Sequence, residues 1–181
     1  MSAKMLKRAL GLLFAAGLVL GVVSAASADY PGTVYTPNGS AVQVMIITSE
    51  LTPDQIQSWR NWVATNYPEA TRVRDASLKY NCHSYAWHSQ ASNNDKWMNN
   101  PGDNTYWEDG SYVYFTYGGY ERPAGVPLGA RASYAYADHS AYVHSSSGTT
   151  VQSKWGVGPL MRHRPGYCPY ASYVVLYYKR P

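Results

Sequence analysis

Cysteine, phenylalanine and charge are all scarce in this chain. Its 181 residues hold 2 Cys and 2 Phe, and only 14% are Asp, Glu, Lys or Arg. Two cysteines allow one disulfide at most. No Cys-x-x-Cys and no His-Glu-x-x-His pattern occurs, so the usual short signatures of a zinc site are missing. The five histidines do not repair this by spacing. His83 and His88 are five apart, well off a common helix face, and His139 and His144 would point to opposite faces of a strand. The sequence therefore implies no metal and no cofactor. It also lacks an internal repeat, a low-complexity segment and a linker long enough to separate two domains. A basic stripe is missing as well. Three of the 15 basic residues and none of the 11 acidic ones lie in the first 28 positions, so the rest carries a net charge of only +1. Nucleic acid is not an expected partner.

What is present begins with an address. Lys4, Lys7 and Arg8 precede an apolar run, Ala9 to Val23, and Ala26-Ser27-Ala28 has the small-x-small form of a cleavage site. This is the plan of a secretory signal peptide over 1–28. The run is too short to span a bilayer, and no later stretch is long and apolar enough to do so. The mature chain, 29–181, is expected to be one secreted domain, monomeric and in reach of the cell wall. Tyrosine is its odd component: 18 Tyr stand beside 6 Trp. Such residues join apolar area to a polar tip. They suit a core and strand faces, or a surface that holds envelope glycan or peptide.

Local signals place helices before strands. Asp29 to Ser40 reads as an irregular lead-in, and Val42 to Thr48 as a strand. Thr52-Pro53-Asp54-Gln55 has the form of a capping box with proline at the first helical position. Ile56, Trp59 and Val63 follow at helical spacing, and Pro68 ends the run. Asn81 is a good N-cap for a second helix reaching Ser89 or Ala91. Ser92 to Gly110 reads as a long polar loop. Strands are expected at Tyr112 to Tyr117, Ser140 to Ser145, Thr149 to Lys154 and Ala171 to Lys179, with Ser146-Ser147-Gly148 closing a hairpin. The expected class is α+β, with N-terminal helices packed on an antiparallel sheet.

Chemistry concentrates in Asn81-Cys82-His83-Ser84. With Asn81 as cap, Cys82 is the first helical residue, where unpaired amides and the helix dipole favour a thiolate and an oxyanion. Asp138-His139-Ser140-Ala141 then places a histidine at the mouth of a strand. A cysteine opening a helix, followed much later by a histidine opening a strand, resembles the papain-like superfamily, in particular its NlpC-type and CHAP-type secreted amidases and peptidases. The resemblance covers roughly Tyr80 to Lys179. It implies Cys82 as nucleophile, His139 as base and a third polar residue that orients the base. Ser153 matches that third position best. Gln152, Asp138 and His163 are alternatives. The implied reaction is acyl transfer to water from a peptide or peptidoglycan stem amide.

A competing reading needs no catalysis. Cys168, in Gly166-Tyr167-Cys168-Pro169-Tyr170, is available to bridge Cys82, as pairs of cysteines in exported proteins often do. The chain would then be a non-catalytic envelope-binding module stabilised by a Cys82–Cys168 disulfide. The remaining histidines read as surface, packing or loop residues, and Trp87 and Trp155 as core.

Overall fold

The computed structural model describes residues 28–99 and 102–181. The signal-peptide segment lies outside these residues but for Ala28. Two antiparallel sheets carry the fold. The smaller has the order β1-β2-β4, from Tyr30–Tyr35 (β1), Ala41–Ile46 (β2) and Lys96–Trp97 (β4). The larger has seven strands in the order β3-β9-β8-β7-β6-β10-β5. These are Thr71–Arg74 (β3), Val113–Gly118 (β5), Arg131–Tyr134 (β6), Ser140–Tyr142 (β7), Val151–Lys154 (β8), Leu160–His163 (β9) and Val175–Lys179 (β10). Among the described residues no helix is long and apolar enough to cross a membrane.

The first helix, α1 (Pro53–Asn66), starts as its capping box requires. Thr52 Oγ1 accepts from the Gln55 amide at 3.3 Å, and the Gln55 side chain accepts from the Thr52 amide at 2.9 Å. Two orphan amide donors are thereby satisfied. Val63 is buried, while Ile56 and Trp59 are half-buried. Trp62, Val63 and Tyr67 pack with Ala141, Val143, Val151 and Trp155 of the large sheet as the main core. A second cluster joins the small sheet, through Val42 and Val44, to Trp87, Met98 and Tyr106.

Several expectations need correction. The lead-in Asp29 to Ser40 contains β1, a full strand whose register runs from Tyr30 opposite Ile46 to Tyr35 opposite Ala41. The β1–β2 hairpin precedes α1, so the chain does not place helices first and strands later. The polar loop Ser92 to Gly110 holds β4 and a one-turn helix, α3 (Thr105–Glu108). It is ordered by side-chain bonds: Asn94 contacts Ser84 Oγ at 3.0 Å and the Ser89 carbonyl at 2.9 Å. Strands β3, β6 and β9 were not expected at all. They are four residues each, too short to show a period.

The expected hairpin does form. β7 and β8 are neighbours, with Tyr142 opposite Gln152. Arg122 pins the intervening turn by donating to the carbonyls of Ser145 at 3.0 Å and Ser147 at 3.1 Å, and also to that of Gly148. β8 is buried along its whole length. A strand covered on both faces cannot show the polar–apolar alternation that marks a half-exposed one.

Candidate active site

Asn81 caps the second helical segment. Its Oδ1 accepts from the Ser84 amide at 3.0 Å, and the Tyr85 amide bonds the Asn81 carbonyl at 3.0 Å. Cys82 is therefore the first helical residue, as the spacing predicts. Asn81 also bonds both backbone groups of Met98, which ties the helix start to the loop after β4. Beyond Cys82 and His83 the helix widens into a π-turn, α2 (Ser84–His88), and stops. Seven helical residues make a weak macrodipole, so the charge beside Cys82 has to come from a side chain.

His83 supplies it. The residue is buried, and its Nε2 lies 2.9 Å from Asp138 Oδ1. Its Nδ1 lies 3.0 Å from Asp103 Oδ2 and 3.0 Å from Ser140 Oγ. Burial opposes protonation of His83, but the adjacent Cys82 sulfur and the Asp103 carboxylate outweigh it and raise its pKa to about 11. The imidazolium is thus the resident form at neutral pH. The sequence reading took His83 for a surface or packing residue. The missed signal was Asp138: a carboxylate next to one histidine was considered only as that histidine's partner, and it pairs with another.

Strand alternation decides what faces what. Ser140 and Tyr142 of β7 face α2: Trp87 Nε1 donates to Ser140 Oγ at 2.9 Å, and the Tyr142 ring meets Tyr85 edge-on. Ala141 and Val143 enter the main core. His139, at the mouth of β7, lies in a stack with the Tyr170 ring, centroids 4.2 Å apart and planes 11° apart, with Tyr134 edge-on at 4.8 Å. It is 1% exposed, and neither ring nitrogen has a hydrogen-bond partner. Burial, with His163 and His83 nearby, pushes its pKa well below the usual imidazole range. His139 is a neutral ring at neutral pH.

Among the described residues no hydrogen bond joins Cys82 to His139. Tyr134 and Tyr170, the two rings around His139, both have their phenol pKa raised, by burial first and in part by the Cys82 sulfur. His83 and His139 line one cavity of about 320 Å³ with Asp103, Asp138, Trp107 and Tyr134. Cys82 adjoins His83, which lines this cavity. A wider depression of about 530 Å³ on the small sheet, lined by Val42, Met45 and Trp97, contains no nucleophile or base.

The third residue differs from expectation. Ser153 Oγ lies 2.7 Å from His163 Nε2 and accepts from Trp155 Nε1 at 3.1 Å. It does not touch a nitrogen of His139. In the β8–β9 register Ser153 stands opposite Met161 and Val151 opposite His163, so Ser153 and His163 share a face; on the other side Tyr142 pairs with Gln152, which sets Ser153 level with Ala141 rather than with His139. The alternatives are also placed. Gln152 accepts from the Tyr85 hydroxyl at 2.7 Å, and Asp138 is held by His83. His163 is the one with a ring close to His139, their ligand nitrogens falling within 4.8 Å. Burial pushes its pKa down to about 4.

The thiols do not join. Cys82 and Cys168 are both free and both buried. Cys168 Sγ donates to the Pro165 carbonyl at 3.4 Å, and burial pushes its pKa up to about 12. The disulfide that the competing reading relies on is absent from the structure.

Comparison with family models, curated proteins and solved structures returns no match to this chain. Function must therefore be argued from the site itself.

Proposed function

We propose that the protein is an exported, papain-like cysteine amidase or peptidase that hydrolyses peptide or peptidoglycan stem amides, with Cys82 as nucleophile and His139 as base. The observation that carries this reading is that His83, which the Cys82 sulfur adjoins, and His139, from a distant part of the chain, line one cavity. The two imidazoles at the cavity divide the work. His83, protonated, has no lone pair to offer and serves as the positive charge that stabilises the thiolate as it forms. His139, neutral and unpartnered, is the ring able to accept a proton. The Cys82 sulfur attacks the amide carbonyl while its proton passes to His139. His139 then protonates the leaving amine, and water releases the acyl group from the thioester. Ser153 acts on His163 and only through it on His139.

Alkylation tests the nucleophile. Iodoacetamide at neutral pH should label Cys82 of the unreduced chain first, and Cys168, with its thiol pushed up to about 12, far more slowly. Equal labelling of both, or of Cys168 alone, would remove Cys82 from the role.

A secreted envelope-binding module is the second reading, favoured by one observation. Tyr114, Tyr117, Tyr120, Tyr136 and Tyr173 are large aromatic residues left exposed. Pull-down on purified cell walls decides it: retention of a wild-type chain that hydrolyses nothing, undiminished by Cys82→Ala, supports binding without catalysis.

A further inference from the structure

Spacing along the chain hides a cluster that the fold assembles. His139 comes from the mouth of β7, His163 from the end of β9 and Cys168 from the loop before β10. One ligand atom from each lies within 4.8 Å of the other two. All three side chains are at least nine-tenths buried. We propose that His139, His163 and Cys168 form a binding site for a single Zn2+ ion, held by two imidazole nitrogens and one thiolate.

The donor set suits the ion. Zn2+ takes imidazole and thiolate together in tetrahedral sites, and three protein ligands leave a fourth position for water. His163 is already turned for the purpose. Its Nδ1 donates to the Arg164 carbonyl at 2.7 Å, which leaves the lone pair on Nε2. Fixing the tautomer through the other nitrogen is the usual outer arrangement around a metal-bound histidine. Ser153, whose hydroxyl meets Nε2, must rotate away and can keep its bond from Trp155.

His139 gives the independent observation. Both its nitrogens are buried and without a partner. A buried polar group left so is costly, and native sites rarely leave one without a reason. The Tyr134 hydroxyl stands beside the Cys168 sulfur. It can donate to a metal-bound thiolate. The sulfur must lose its proton, so each ion bound releases one proton to solvent and affinity rises with pH. His83 also faces His139, but it already has two carboxylates and Cys82 around it.

This inference goes beyond the proposed function and does not depend on it. An ion on His139 removes the lone pair that the hydrolytic reading assigns to the base, so bound zinc would inhibit that activity. The experiment therefore reads binding. The mature, reduced chain is titrated with Co2+ as a spectroscopic stand-in for Zn2+, and X-ray absorption is recorded on the zinc-loaded chain. One ion per chain is expected, with a thiolate-to-cobalt charge-transfer band. The absorption data should show one sulfur and two imidazoles. Cys82→Ser should keep the band, while Cys168→Ser should lose it and His163→Gln should weaken binding by more than about tenfold. The X-ray measurement needs no variant, so it stands even if a buried substitution unfolds the chain. Failure to bind, a donor set with no sulfur or with two, or a band that survives Cys168→Ser overturns the proposal.

Discussion

Replacing His83 by glutamine should change how stability depends on pH, and the size of the change follows from proton counting. In the folded chain the His83 pKa is raised to about 11 from an ordinary 6.5. A group raised on folding contributes stability that is complete below its unfolded pKa and vanishes as pH climbs through the folded one. The window is therefore about pH 6.5 to 11. Inside it the folded chain holds one proton that the unfolded chain has released. The slope is then about 1.4 kcal/mol per pH unit, whatever the full height of the shift. Wild type alone does not display this slope, because Lys154 works against it. Burial depresses the Lys154 pKa from 10.5 to about 7. Its burial penalty is complete below pH 7 and fades toward 10.5, so its contribution rises with pH while that of His83 falls. The difference between wild type and His83→Gln cancels the lysine. Between pH 7 and pH 9 that difference should shrink by about 2.7 kcal/mol, or about 5–11 °C in melting temperature for a domain of this size. Thermal unfolding followed by circular dichroism at both pH values measures it. A wild-type advantage that stays constant from pH 7 to pH 9 would falsify the assignment of a protonated His83 beside Cys82.

Three further outcomes follow from named contacts. Lys154→Met removes an amine that donates to the Ser77 carbonyl at 2.8 Å and the Gly156 carbonyl at 2.6 Å with no acidic partner bonded to it. Its effect on stability should grow more favourable as pH falls from about 10 to 7 and level off below; denaturant melts across that range read the trend, and a flat difference contradicts it. Thr52→Ala removes the hydroxyl that accepts from Gln55 and should cost about 1 kcal/mol, seen in urea midpoints. No loss would mean the cap does not hold α1. Gly118→Ala would place a Cβ at 2.6 Å from Pro123 Cδ and 2.9 Å from the Glu121 carbonyl oxygen. Since backbone has to give way, about 1–3 kcal/mol should be lost, and a neutral melt would show that the β5 turn is softer than described.

The local helix starts were more legible than the sheet they pack on. Asn81, Cys82 and the capping box at Thr52 are local devices, written in residues next to one another, and the structure holds them as read. The mouth of β7 at His139 was legible for the same reason. What failed was information carried across the sheet. Which residue stands beside His139 depends on the order β9-β8-β7 and on the pleat of β8, neither of which a short buried strand announces. So Ser153 went to His163, and Cys168 joined two histidines instead of Cys82. The β1 hairpin was missed because Pro31 and Gly32 imitate a loop, although at an edge strand both are tolerated. A Cβ at Gly32 would lie 2.8 Å from Ile46 Cδ1, so the Ile46 side chain would have to shift to admit one.

The central claim is that Cys82 performs hydrolysis with His139 as its base. Release of new amines from purified peptidoglycan stem peptides, by wild type and by Cys82→Ala at equal folded concentration, tests it most directly. The account predicts turnover by the wild-type chain and a loss of roughly three orders of magnitude or more on removing the sulfur. Equal rates from the two chains would contradict it.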